Sequence, residues 1–575
     1  MSKKVSWHDQ ILPPLNHSNS EIRVLQIKPG FPDSPIRCTF HVTSLDNLDV
    51  SYEALSYAWG TDNQNTTHED IYFGDDDDDT NKVGVTLPLA NALRQLRLLN
   101  GPRHVWADAL CINQTDNHEK SLQVSIMGRI YSTCTQGAIW LGPLGEVPEE
   151  DAQAALDTIS WIAGEQEAHS WMEVSDTSAL KRQTAAAAFK TLFHLPWWSR
   201  IWTVQEAILP PLATLYWGPC QIPRSTLAKA ADSFFDDSAP NVPDEFWRNA
   251  AIESLTVALR GLGASRDEEL FMLLWRWRHR KATDPRDKVY GLLGFRHDVS
   301  LPSVKTCDYT VDVRTLYHKV TIDLINMSTD LQPLLGRGGE RSEIPGLASW
   351  AVDWDGVRDP SMSSKCSFWD HYHWWHYGGF TADRGMYGVG EGLRVQGDDD
   401  VLRVTGLRVS RIDMVEDNVP EEIEVPEEVS VAALYRLYGD RWGELMARYH
   451  EQFPDKLFSG GMVAFLSLIT GNLVADGSED NNEIAEWVQK MLRTHILFIT
   501  DDGRLGLGPR NVRPGQELWI VGGCRIPLIL NPLPKASDKE SEVSVTFHSE
   551  CFVYGIMSGE ALEGRGDQVI EILLR

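Results

Sequence analysis

Trp202, Gln205 and Glu206 stand at i, i+3 and i+4 in the stretch LPWWSRIWTVQEAIL (195–209), with Trp197, Trp198 and Arg200 immediately before them. On an α-helix those intervals share one face. A carboxylate walled by indoles is partly desolvated and held in place. Such an acid can stabilise the oxocarbenium-like state of glycosidic cleavage or grip ribose hydroxyls, while a tryptophan stacks on a flat base. The competing reading is structural: a core helix in which the tryptophans pack and Glu206 pairs with Arg200 or with a residue elsewhere.

The elements that position this stretch are legible upstream. IRVLQIKPG and IRCTFHVTSL have strand periodicity around a Pro-Gly break, and YEALSYAWG (52–60) reads as a buried strand ending at Gly60. Leu89, Leu93 and Leu96 recur at helical intervals, RHVWADALCIN (103–113) is strand-like, and QGAIWLG (136–142) is another short strand. Between the last two, Asp116 with Glu119 three residues later is a capping-box variant, followed by a stripe of Leu122, Ile126 and Ile130. Strands alternating with helices predict an α/β unit with a parallel sheet. Ligands of such sheets sit beyond the carboxyl ends of the strands. That rule brings Ser56, Tyr57, Trp59, Asp108 and Asn113 to one rim. Plain roles are open to most of them: Asp108 as a cap, Ser56 and Tyr57 as backbone partners, and Asn113, with Gln114, as organiser of a turn.

Bulk properties bound the function. The 575 residues exceed one hydrophobic core, and 42% hydrophobic with 23% charged residues is the composition of a folded chain. A formal net charge of -29 repels phosphate backbones and argues against nucleic-acid binding. Part of that charge is local, in GDDDDDT (74–80) and VPEEIEVPEEVS (419–430), which read as a solvated loop and an acidic linker. The eight cysteines include no C-x-x-C pair, the N-terminus has no apolar signal region, and no run is long enough to cross a membrane. The expectation is a cytoplasmic protein without a membrane span.

YEALSYAWG, VWADALCINQTDNHEKSLQVSIMGRIYSTCTQGAIWLG and WWSRIWTVQEAIL resemble the three successive blocks of the fungal heterokaryon-incompatibility (HET) domain. ATDPRDKVYGLLGF, IPGLASWAVDWDG and GLGP…PGQELWIVGGCRIPLIL resemble segments that often follow it. Ala107 stands where isoleucine is more usual, and Lys120 where arginine is. The resemblance implies self/non-self recognition and cell-death signalling, with self-association or another incompatibility protein as partner. It also implies distant similarity to Toll/interleukin-receptor (TIR) domains, several of which hydrolyse NAD at the nicotinamide–ribose bond with a helical glutamate. By that similarity the fold is a TIR-like (flavodoxin-like) parallel sheet and Glu206 is the catalytic residue. Ser56, Tyr57, Trp59, Asp108, Trp202 and Gln205 are then binding residues, and NAD is a substrate rather than a bound cofactor. A non-enzymatic interaction module is the alternative.

The expected organisation is an N-terminal tail (1–20), a HET domain over 21–235 with a helical insertion or lid near 150–194, and a helical region over 236–345. An irregular or β, Trp-rich region with the acidic linker follows over 346–428, then helices over 429–497 and a β-rich domain, barrel-like in its Gly and Pro spacing, over 498–575. Three other motifs invite chemistry. Cys111 lacks the nearby base and positive setting of a thiol nucleophile. CSFWDHYHWWHYGGF (366–380) carries Cys366, His371, His373 and His376, of types that ligate zinc, but without a zinc-site spacing; a packed aromatic loop is the expectation, no metal is assigned, and zinc stays a side hypothesis. GRLGLGP (503–509) has glycines but no strand–turn–helix context, and reads as a hairpin.

Overall fold

The computed structural model describes residues 11–59, 68–74, 81–167, 179–235, 269–295, 301–336, 342–356, 379–384, 386, 397–398, 400–417, 431–454, 494–534 and 542–575. The chain divides into two compact units, one built mainly from residues 1–300 with 304–311, the other mainly from 312–356 and 368–575.

The first unit is a nine-stranded sheet flanked by helices. Its strands are β1 (Glu21–Ile27), β2 (Arg37–Ser44), β3 (Glu53–Tyr57), β4 (His68–Phe73), β5 (Lys82–Thr86), β6 (Arg103–Trp106), β7 (Gln136–Gly142), β8 (Ala213–Trp217) and β9 (Cys220–Pro223), in the order β5-β4-β2-β1-β6-β3-β7-β8-β9. The sheet is mixed, which corrects the expectation of a parallel one. The centre, β6-β3-β7-β8, is parallel, but β1 runs antiparallel to both β2 and β6, and β9 antiparallel to β8. Connection length explains the difference. Only Gly218 and Pro219 join β8 to β9, and Gly218 takes φ +54°; so short a link permits only a hairpin. Parallel neighbours need a crossover, and helices supply those between the central strands.

Helix α1 (Leu87–Leu96) buries Leu89, Leu93 and Leu96, the stripe expected from their spacing. The segment after β6 departs from expectation. The strand stops at Trp106, and Asp108–Cys111 forms one helical turn, α2. Half of the predicted capping box is present: Asp116 Oδ1 accepts from the backbone of His118 (2.9 Å) and Glu119 (3.3 Å) at the start of α3 (Asn117–Ser125), whereas the Glu119 carboxylate accepts from Asn113 N and Arg23 instead of Asp116 N. The expected stripe of Leu122, Ile126 and Ile130 is interrupted, because α3 ends at Ser125, Ile126 is the cap between the helices, and α4 (Met127–Thr133) begins beyond it.

Helices α5 (Glu149–Ile162), α6 (Ala179–His194), α7 (Trp202–Ile208) and α8 (Arg224–Phe235) lie between β7 and β8 or follow β9. Of the stretch 150–194, residues 168–178 lie outside the described residues; the helices on either side of them pack into the core. Ala155, Leu156 and Ile159 of α5 and Ala185, Phe189 and Leu192 of α6 share one buried cluster with Ile139, Leu215 and Trp197. Helices α9 (Leu270–Trp277) and α10 (Asp287–Leu293) belong to the same unit.

Among its described residues the second unit contains α11 (Val313–Ser328), α12 (Val431–Gln452) and nine strands. These are β10 (Gly397–Asp398), β11 (Val401–Val415), β12 (His495–Thr500), β13 (Leu505–Pro509), β14 (Glu517–Val521), β15 (Leu528–Pro532), β16 (Val543–Glu550), β17 (Phe552–Val553) and β18 (Ile570–Leu574). Strand β11 pairs with β14 at one edge and β18 at the other, and the path β14-β15-β16-β18 returns to it, closing a small barrel. The barrel therefore takes its longest strand from the Trp-rich region before residue 498. GRLGLGP lies in the β12–β13 hairpin, as expected.

Candidate functional site

Ser56 is the penultimate residue of β3 and is fully buried. Its hydroxyl donates to Glu206 Oε2 at 2.5 Å and accepts from Trp197 Nε1 at 2.7 Å. An indole, a hydroxyl and a carboxyl thus form one chain at the carboxyl end of a central strand. Trp197 sits on the 3₁₀ turn Pro196–Ser199, braced edge-on against Trp198 with ring centroids 4.8 Å apart. The Thr203 hydroxyl, one residue into α7, reaches back to the carbonyls of Trp197 (3.0 Å) and Arg200 (2.8 Å). This bracing fixes the turn against the helix that carries Glu206.

Glu206 is 5% exposed. Burial first, and the charge of Asp108 second, push its pKa up from 4.5 to about 8, against the Ser56 hydrogen bond and the Arg200 charge. Asp108 is partly exposed at the rim. Burial raises its pKa from 3.8 to about 6, opposed by Arg200, the Ala109 N–H, the Trp59 indole and Lys120. Asp108 Oδ1 accepts from Ala109 N at 2.7 Å, and Oδ2 accepts from Trp59 Nε1 at 3.1 Å. Trp59 remains 38% exposed. Tyr57 is buried, and burial with the Asp108 charge raises its phenol well above the usual range. Two carboxyl groups with separated pKa values at one strand end are a pattern suited to acid–base work.

Trp202 and Gln205 do not join this cluster. Trp202 lies against Gly291 of α10, the helix whose first residue, Asp287, accepts from Tyr309 Oη at 2.7 Å. Gln205 is buried against Gly294, where an added Cβ would lie 2.7 Å from its Oε1. Successive residues on a helix point about 100° apart, so Gln205 and Glu206 address different neighbours although each shares a flank with Trp202. Glu206 faces β3, and the other two face α10.

The hydrogen-bonding role of Trp197 was not legible in the sequence; the Arg200–Glu206 pair considered there is not formed as an ion pair among the described residues, although the Arg200 charge acts on both Glu206 and Asp108. The adjacency of WWSR to Glu206 was the available signal. Asn113 and Gln114 organise the turn as expected: Asn113 Oδ1 accepts from Thr115 N at 3.2 Å, and Gln114 Nε2 donates to the Asp108 carbonyl at 3.0 Å. Cys111 is buried, and burial pushes its thiol up to about 12, so it is not a nucleophile in this state. Cys366, His371, His373 and His376 lie outside the described residues. Among the described residues no group of three or more potential ligands could hold a metal ion.

Residues 52–206 match the family of the heterokaryon incompatibility protein (HET). The chain carries a HET domain. The match begins one residue before β3 and ends at Glu206, so it includes Ser56, Trp59, Asp108, Trp197 and Arg200. The chain is also 23% identical, over 676 aligned positions covering 95% of each protein, to heterokaryon incompatibility protein 6, OR allele, of Neurospora crassa. No solved structure matches it significantly. The HET domain supports a role in self/non-self incompatibility. Among the described residues no helix is long and apolar enough to cross a membrane.

Proposed function

We propose that the chain is a cytoplasmic incompatibility protein that signals cell death through its HET domain, and that this domain hydrolyses NAD at Glu206. The observation that carries the reading is the buried Ser56–Glu206 contact of 2.5 Å at the end of β3. Taken in chain order, β3, β6, β7 and β8 are the first to fourth strands of an order 2-1-3-4, which supports a flavodoxin-like, TIR-like centre. In such sheets the order reverses around the first strand, and ligands bind beside its carboxyl end.

In this reading the C1′–N bond of the nicotinamide riboside breaks, and its electron pair leaves with neutral nicotinamide. Positive charge develops at the ribose C1′ and ring oxygen, where Glu206 as carboxylate stabilises it. Asp108, with the lower pKa, accepts the proton of the attacking water. Trp59 at the rim stacks on the departing ring. The test is nicotinamide release by the full chain: turnover by wild type and none by Glu206→Ala supports hydrolysis, and equal rates remove it.

The 5% exposure of Glu206 favours a second reading, in which the Ser56–Glu206 pair is structural and the HET surface works by self-association or by binding another incompatibility protein. Cell death kept by a folded Glu206→Gln chain separates this reading from the first.

A further inference from the structure

A cationic cluster lies outside the Ser56–Glu206 site. The run WRWRHRK (275–281) leaves α9 and enters the turn before α10. Arg280 is 4% exposed, yet among the described residues its Nε and Nη1 have no hydrogen-bond partner. No carboxylate pairs with it among the described residues; its guanidinium carbon lies 4.9 Å from the centre of the Trp277 ring. Burial alone draws its pKa down to about 9. Beside it Lys288, also buried, donates from Nζ to the carbonyls of Arg278 (2.7 Å) and Arg280 (2.5 Å). His279 is held neutral between them, its pKa pushed to about 3 by burial and by the charges of Arg280, Lys288 and Arg278.

A buried guanidinium without a counter-charge is strongly unfavourable, and proteins resolve it by pairing. Among the described residues no carboxylate answers that of Arg280. We propose that the Trp275–Lys288 turn is a binding site for a phosphoryl anion, with Arg280 as its principal ligand. The guanidinium fork matches two oxygens of a phosphoryl group, and a multiply charged anion suits several clustered cations better than a single carboxylate does. The site adjoins the helix that carries Glu206. Lys281 N donates to the Ser199 carbonyl at 2.5 Å, and Ile201 N donates to the Lys281 carbonyl at 3.0 Å. A bound anion therefore steadies the segment that leads into α7. The inference stands independently of NAD hydrolysis.

Calorimetric titration of the full chain with inorganic pyrophosphate and, separately, with ADP tests it, at ionic strength held constant with sodium chloride. Saturable binding of either anion by wild type is expected, weakened about ten- to hundredfold in Arg280→Met, the worth of charge-assisted hydrogen bonds, and less in Arg280→Lys. Pyrophosphate binding identifies a free anion as sufficient; binding of ADP alone identifies a nucleotide. Unliganded Arg280→Met is expected to melt no lower than wild type, because it removes a buried unpaired charge. Absence of binding by wild type to both anions, equal affinity in Arg280→Met, or a melting temperature lowered by that substitution overturns the proposal.

Discussion

The Ser56 hydroxyl and the Glu206 carboxyl oxygen are 2.5 Å apart although 150 residues separate them in the chain. Ser56 is also the acceptor for the Trp197 indole, so one hydroxyl satisfies two buried groups. Ser56→Ala strands both. A buried polar group left without its partner costs about 1–3 kcal/mol, so a loss of roughly 2–4 kcal/mol in denaturant unfolding is expected. A loss below about 0.5 kcal/mol, the size of an ordinary surface change, contradicts that role.

Glu206 makes stability depend on pH in a defined direction. Its pKa is about 8 in the folded protein against 4.5 ordinarily, so between those values the folded state keeps a proton that the unfolded chain has released. Stability therefore falls as pH rises through that window. Glu206→Gln removes the dependence. The variant is expected to match wild type near pH 4 and to gain on it steadily up to about pH 8, by a few kcal/mol at most. Parallel urea midpoints for the two proteins at every pH contradict the shift.

Arg23 and Glu119 form a buried bidentate pair at 2.6 and 3.0 Å, and Arg23 also donates to the Cys111 carbonyl at 3.0 Å, the last residue of α2. The pair thus anchors the turn that begins at Asp108. Arg23→Met leaves Glu119 as an uncompensated buried charge, and a loss of about 3–5 kcal/mol is expected. The double replacement Arg23→Met with Glu119→Leu is expected to recover most of it, because an apolar pair replaces an ionic one. Equal damage in single and double variants contradicts the pairing. The charge of Arg23 and its hydrogen bonds also hold the Glu119 pKa below its ordinary value, so this contribution disappears as pH falls into the carboxylate range.

Gly128 and Gly294 bring α4 and the end of α10 into backbone contact: a Cβ on Gly128 would lie 2.6 Å from Gly294 Cα. Backbone cannot yield as a flexible side chain does. Gly128→Ala is expected to destabilise by about 1–3 kcal/mol through overpacking, measured by thermal melting. A neutral or stabilising result would show that the helices separate without cost.

Local patterns in the sequence anticipated much of this architecture. The Leu89–Leu93–Leu96 stripe, the Asp116 cap and the β12–β13 hairpin depend on neighbours a few residues away, and they formed as their spacing indicated. Strand direction was not legible. Period-two alternation is the same in parallel and antiparallel strands, so β1 and β2 read as strands without revealing that they oppose one another. The four-residue α2 was too short for its propensity to outweigh the apolar run before it. Ser56 and Asp108 were placed at the rim by the strand-end rule, and both stand there. Trp202 and Gln205 were grouped with Glu206 by helical spacing, which specifies angle but not what lies opposite. The Arg23–Glu119 pair spans 96 residues, a separation at which charge pattern names no partner.

The most direct test of the account is the pH dependence of nicotinamide release from NAD by the full chain. With Glu206 acting as a carboxylate of pKa about 8, the wild-type rate rises as pH increases toward that value, and Glu206→Gln is inactive throughout. Release that is absent from wild type, or that Glu206→Gln retains with the same profile, contradicts it.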